Sequence, residues 1–149
     1  MVEFAVVLPV LLLFVLGILY FGRFEDYSNQ ATQLSEQGAR MAAVGFMPTS
    51  GTLQSYLVSQ AQPELQTNGT DVTKALQVFV YQPTNYSGWT VGQQVRVCVT
   101  YTMTFPTPLG TPSAPVTKMT TMRLESLGTY TSFPYSAGNG TIPSSCSYS

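Results

Sequence analysis

The 149-residue chain contains no histidine, only two cysteines, and charged side chains at 9% of its positions. Each shortage excludes something. Without imidazole the usual general base is missing. The acids Glu25, Asp26, Glu36, Glu64, Asp71 and Glu125 are scattered through polar contexts, with no phosphate-cradling glycine loop and no nucleophile motif. Neither an enzyme nor a cofactor is expected. Two thiols without a histidine fall short of a metal site, and a net charge of −1 offers no basic footprint for nucleic acid. Basic residues are also missing ahead of the first apolar stretch. Nothing basic precedes Arg23 and no small-x-small triplet closes the stretch, so the pattern is not that of a cleaved secretory signal.

What is present is one unbroken run at residues 4–21, FAVVLPVLLLFVLGILYF, which carries no charge and directly follows Glu3. As a helix it would be ~27 Å long at 1.5 Å per residue, close to the roughly 30 Å hydrocarbon core of a bilayer. A helix apolar on every side has no solvent face, so it needs lipid around it, or copies of itself. Glu3 has two readings: a carboxylate resting in water at the interface, or one paired with the α-amino group of a neighbouring subunit. Pro9 removes one helical hydrogen bond and crowds the preceding turn, which predicts a kink or a short unwound turn near residues 5–9. A chain that opens on such a helix is expected to have lost a basic leader ahead of it.

From residue 22 the run turns amphipathic. Phe24, Tyr27, Ala31, Leu34, Gly38 and Met41 recur at spacings of three and four, one helical stripe. Residues 2–44 then form one rod of ~65 Å. The stripe reads as a core face, and Ala31, Gly38, Ala39, Ala42 and Ala43 would let a partner approach closely. Gly45 with Pro48 predicts the stop. A short helix follows over residues 50–62, capped by Thr49 or Ser50, with Leu53, Tyr56, Leu57 and Ala61 on one face before Pro63.

Period-two patterning begins at Ala75. Leu76, Val78 and Val80 alternate with Phe79 and Tyr81, apolar on both sides, as in an interior strand. Next, Val95, Val97, Val99, Tyr101, Met103 and Phe105 occupy odd positions, while Arg96, Cys98, Thr100, Thr102 and Thr104 are even, which gives one core face. A proline-rich turn at residues 106–115 leads to a third strand at about 116–127. The fold class is α+β: a long N-terminal helix, apolar then amphipathic, packed on a C-terminal antiparallel sheet of three to four strands. By domain, residues 1–45 are the membrane or filament-core helix and 46–149 the β-rich globule.

The abundance of Thr, Ser, Gln, Tyr and Gly suits an extracytoplasmic surface, where Cys98 and Cys146 form one disulfide that draws the C-terminal tail across the outer face of the sheet. An intermolecular bond is the alternative. Asn68, Asn85 and Asn139 begin glycosylation sequons and read mainly as surface turns.

The segments VEFAVVLPVLLLFVLGILYFGRF, EQGARMAAV, and VRVCVTYTMTF with TTMRLE together resemble the TadE-like pilins of the tight-adherence class of type IV pili. The resemblance implies that a prepilin peptidase removes a basic leader ending in Gly. The exposed helices, Glu3, Phe4, Pro9, Leu12, Phe14 and Leu19 among them, then assemble copies of the chain into a pilus or a filament-associated complex, with the help of inner-membrane machinery. It implies residence in the cytoplasmic membrane before assembly and an extracellular filament after it, serving adhesion or colonisation. In such pilins the glutamate usually lies fifth, whereas here it is third, so its pairing with a neighbour's amine requires a shorter axial offset or a shifted cleavage. A minor pilin or pseudopilin, and a single-pass membrane-anchored binding domain, are the other readings.

Overall fold

The computed structural model describes residues 2–46, 48, 52–61, 76–81, 90–104, 110, 113–126 and 144–146; within its first helix the side chains of residues 2, 3, 5 and 6 are not described. That helix, α1, runs Val2–Ala43 without interruption and holds Pro9 in its interior. The unwound turn expected near residues 5–9 is therefore absent. Proline deletes a single hydrogen bond, and helical residues on both sides hold the backbone in register across the gap.

The end of α1 follows from Gly45. Its φ of 70° is the left-handed conformation that glycine adopts without a Cβ penalty. The amide of Gly45 donates to the Ala42 carbonyl at 3.2 Å and that of Phe46 to the Met41 carbonyl at 2.9 Å, the paired bonds of a Schellman cap. The Ala43 carbonyl is taken up from elsewhere, by the amides of Glu125 at 2.7 Å and Ser126 at 3.1 Å. The top of the helix is thereby tied to the chain leaving the sheet.

A second helix, α2, spans Leu53–Gln60. It starts three residues later than expected. The cap is Thr52, whose hydroxyl accepts from the Ser55 amide while the Ser55 hydroxyl accepts from the Thr52 amide, a capping box built with serine in place of the usual glutamate or glutamine. Leu53, Leu57 and Ala61 are buried. The Tyr56 ring, half-buried, lies 5.9 Å from that of Phe46 and joins the two helices.

Three strands, β1 (Gln77–Tyr81), β2 (Gln94–Thr104) and β3 (Ser113–Arg123), form an antiparallel meander in the order β1-β2-β3. Two expectations need correcting. Strand β1 is apolar on both sides yet, among the described residues, lies at an edge; its second apolar face is covered by the C-terminal turn rather than by another layer of helices. Strand β3 begins inside the stretch read as a turn, with Pro115 opposite Thr102. An edge strand tolerates proline because half of its amides point away from the ladder. The strand also stops at Arg123, short of the expected end. Phe105, the last odd-numbered residue of the β2 pattern, lies outside the described residues.

The core is the space between the second half of α1, α2 and one face of the sheet. It contains Ala31, Leu34, Ala39, Ala42, Leu53, Leu57, Val78, Val80, Val95, Val97, Val99, Tyr101 and Met103, with Phe24, Tyr27 and Met41 packed at its margin. The small residues of α1 set how close the sheet comes. Ser35 is buried by this approach, donating to the Thr32 carbonyl at 2.8 Å and sharing a 2.9 Å hydrogen bond with the Thr120 hydroxyl of β3. Lower down, the rings of Tyr27 and Tyr101 meet edge to face at 5.9 Å.

Gly38 is the tightest point. A Cβ placed there would lie 2.6 Å from Leu57 Cδ1 and 3.1 Å from Val97 Cγ1. The leucine end can rotate, whereas a β-branched valine on a central strand has little freedom. Gly38→Val is expected to cost roughly 2–3 kcal/mol through overpacking. Gly17→Ala, which meets nothing within 4 Å, is expected to leave stability level or slightly raised by helix propensity. Thermal unfolding of the detergent-solubilised chain checks both; equal melting temperatures for Gly38→Val and the parent would refute the close approach.

Candidate assembly interface

The two halves of α1 have opposite environments. Of the 18-residue window with the highest hydropathy, mean 2.2, no part is buried within the chain. Phe4, Val10, Leu13, Phe14 and Leu19 stand more than half exposed, and at about 100° per residue they are spread around the whole helix axis. By length and composition this is one helix able to cross a membrane. The cover supplied by the chain itself begins at Phe24 and Tyr27 and is complete at Ala31. The change occurs over about three turns, at the point where polar residues enter the sequence.

Phe4, Pro9, Leu12, Phe14 and Leu19 all lie on this uncovered half, solvent-facing and without contacts to the sheet. Glu3 belongs to the same helix, but its side chain lies outside the described residues, as do Asn68, Asn85 and Asn139. At the base of the covered half, Ile18, Leu19, Gly22, Arg23, Asp26 and Tyr27 line an open groove, and Gln30 Nε2 donates to Asp26 Oδ2 at 3.1 Å.

On the far side of the sheet, Cys98 and Cys146 are joined, with Cα atoms 6.0 Å apart. Cys146 closes a 3₁₀ turn, Ser144–Cys146. With Phe79 and Tyr81 the two half-cystines make a small second core. The register shows why these residues meet. Phe79, Cys98 and Met119 form one cross-strand row, and Tyr81, Arg96 and Thr121 form the next. The Tyr81 hydroxyl donates to the Cys146 carbonyl. Arg96, buried, places its guanidinium 6.0 Å from the centre of the Tyr81 ring and donates from Nε to the Thr121 hydroxyl at 3.2 Å. The even-numbered face of β2 is thus a second buried face at Arg96 and Cys98, which the alternation in the sequence did not reveal.

Among the described residues no group of three or more His, Cys, Asp or Glu side chains could hold a metal ion. What the described residues offer instead is an apolar half-helix that the chain itself leaves uncovered. Residues 1–40 match the model of the TadE-like protein family. The match covers the uncovered half of α1 and most of the half that packs on the sheet, so it ends close to the end of the helix. That family is a pilus-related structural one, and the matched residues include the apolar N-terminal helix, whose length and composition are compatible with membrane anchoring. No curated protein and no solved structure matches the chain.

Proposed function

We propose that the chain is a pilin, a structural subunit that polymerises through the first half of α1 into an extracellular Tad-type filament used in adhesion or surface colonisation. The observation that carries this reading is the contrast within α1. One half is embedded in the core of its own chain, while the other exposes large apolar side chains all round. Before assembly, lipid would cover that half, with residues 4–21 in the cytoplasmic membrane after a prepilin peptidase has removed a leader. After assembly, neighbouring copies would cover it. Phe4, Pro9, Leu12, Phe14 and Leu19 are then interhelical contacts, Glu3 meets a neighbour's terminal amine, and the β-rich part beyond residue 45 forms the outer surface.

The driving force is smaller than the exposed area suggests, because the helix leaves lipid and not water. Association rests on packing between apolar surfaces. The test is electron microscopy of filaments sheared from producing cells, with mass spectrometry of their subunit. The expected result is thin filaments made chiefly of this chain. Sheared material that lacks the chain, with all of it in the membrane fraction, overturns the reading as the main filament subunit and leaves an anchored surface domain or a rare minor pilin.

A further inference from the structure

The half of α1 that packs on the sheet has an outward face without a partner, and most of the helix's few charges lie on it. Arg23, Asp26, Glu36 and Arg40 are all exposed. Arg23 and Asp26 are three residues apart and share one stripe; Glu36 and Arg40 are four apart and share another. Their signs run in opposite order, positive then negative at the base and negative then positive at the top. Glu36 follows Arg23 by 13 residues and Arg40 follows Asp26 by 14.

Resting on the polymer reading above, we infer that these two stripes form a register-setting contact between copies of the chain, the base stripe of one copy on the top stripe of the next. A parallel neighbour displaced by 13 to 14 residues, about 20 Å along the helix at 1.5 Å per residue, brings Arg23 beside Glu36 and Asp26 beside Arg40 in one step. In-register packing does the reverse, setting each charge beside its like.

The two stripes are also placed for an open assembly. At 100° per residue their centres lie about 90° apart around the helix, both off the face that carries Ala31, Leu34 and Gly38. A contact that joins two different faces is heterologous, and such contacts propagate into filaments rather than closing as dimers. Packed helices cross at roughly 20–50°, so the contact is confined to a few turns around the two pairs. The apolar half of each helix diverges towards other copies. The Gln30 amide already on Asp26 fixes that carboxylate near the groove formed with Arg23 and Tyr27. Exposed ion pairs contribute little energy each. Their effect is on selection between registers, where mispairing turns two attractions into two repulsions.

Charge exchange tests the contact in cells that make the full chain with its assembly machinery, read as the amount of chain in sheared filaments. Arg23→Asp with Asp26→Arg is expected to lower it about tenfold or more, since small repulsions recur at every subunit. The chain should remain at parental level in the membrane. Glu36→Arg with Arg40→Glu is expected to do the same, and all four changes together to restore filaments to within about threefold of the parent. Full assembly of either double variant, or no recovery in the fourfold variant, overturns the contact while leaving the pilin reading in place. Absence of the parental chain from filaments removes the pilin reading, and this contact with it.

Discussion

Leu12→Arg is expected to leave the chain in the membrane and to remove it from filaments altogether. The two outcomes separate because the two surroundings treat a buried charge differently. Leu12 lies at the middle of the apolar run, half exposed within its own chain. An arginine at the centre of a spanning helix costs roughly 3 kcal/mol on insertion scales, while each Leu, Ile, Phe or Val returns about 0.3–0.6. The remaining apolar residues of the run outweigh one such cost, and a long arginine can lean towards the headgroups. A filament core offers neither remedy. There the guanidinium is enclosed by helices without a partner, a situation that costs several kcal/mol at every subunit. Leu12→Ala, which keeps the surface apolar, is expected to assemble. Membrane fractionation and sheared-filament yield read the two effects side by side. Normal filaments from Leu12→Arg would show that this half of α1 is not packed between copies.

The long helix was legible because two periodicities announce it, a run apolar on every side and then a stripe at three-four spacing. Phe24, Tyr27, Ala31, Leu34, Gly38 and Met41 all face the core or its margin. Strand β2 was legible for the same reason, with its odd residues inside. Where burial comes from a segment distant in sequence legibility was partial: the cysteine pair indicated that the tail crosses the outer face of the sheet, but not which residues it buries. Phe79 and Tyr81 suggested an interior strand because nothing local shows that a turn 65 residues further on from Tyr81 covers them. Arg96 on an even position reads as solvent-facing, yet it is buried beside the Tyr81 ring and the Thr121 hydroxyl of the neighbouring strands. Ser35 flanks the stripe and was absent from it, yet the sheet wraps far enough round α1 to bury it. Pro115 misled through its own reputation, since a proline cluster reads as a turn unless the strand is known to lie at an edge. Of the assembly surface, the apolar residues could be named from sequence. That the chain leaves them uncovered required the structure.

Replacing both half-cystines by serine, Cys98→Ser with Cys146→Ser, is expected to produce the largest loss of stability of any change outside the membrane half. The bond closes a separation of 48 residues. Loop-closure arithmetic assigns it roughly 4 kcal/mol, which corresponds to a fall of about 10–20 °C in melting temperature for a domain of this size. Local structure amplifies the loss. Cys98 and Cys146 are fully buried and pack with Phe79 and Tyr81 in one small core. Without the bond the turn keeps the hydrogen bond from the Tyr81 hydroxyl to the Cys146 carbonyl but loses its covalent tie to the sheet. Its release would uncover two aromatic side chains on an edge strand, a template for pairing with other chains. The variant is therefore expected to be both less stable and more prone to aggregate, with the tail cut by protease before the sheet. Cys146→Ser alone should match the double variant in stability, because one intramolecular bond is lost in either case. On a denaturing gel without reductant the parent should run as a monomer. A dimer band that disappears on reduction would mean that the bond joins two chains, and the staple on the outer face of the sheet would then belong to the filament rather than to the subunit.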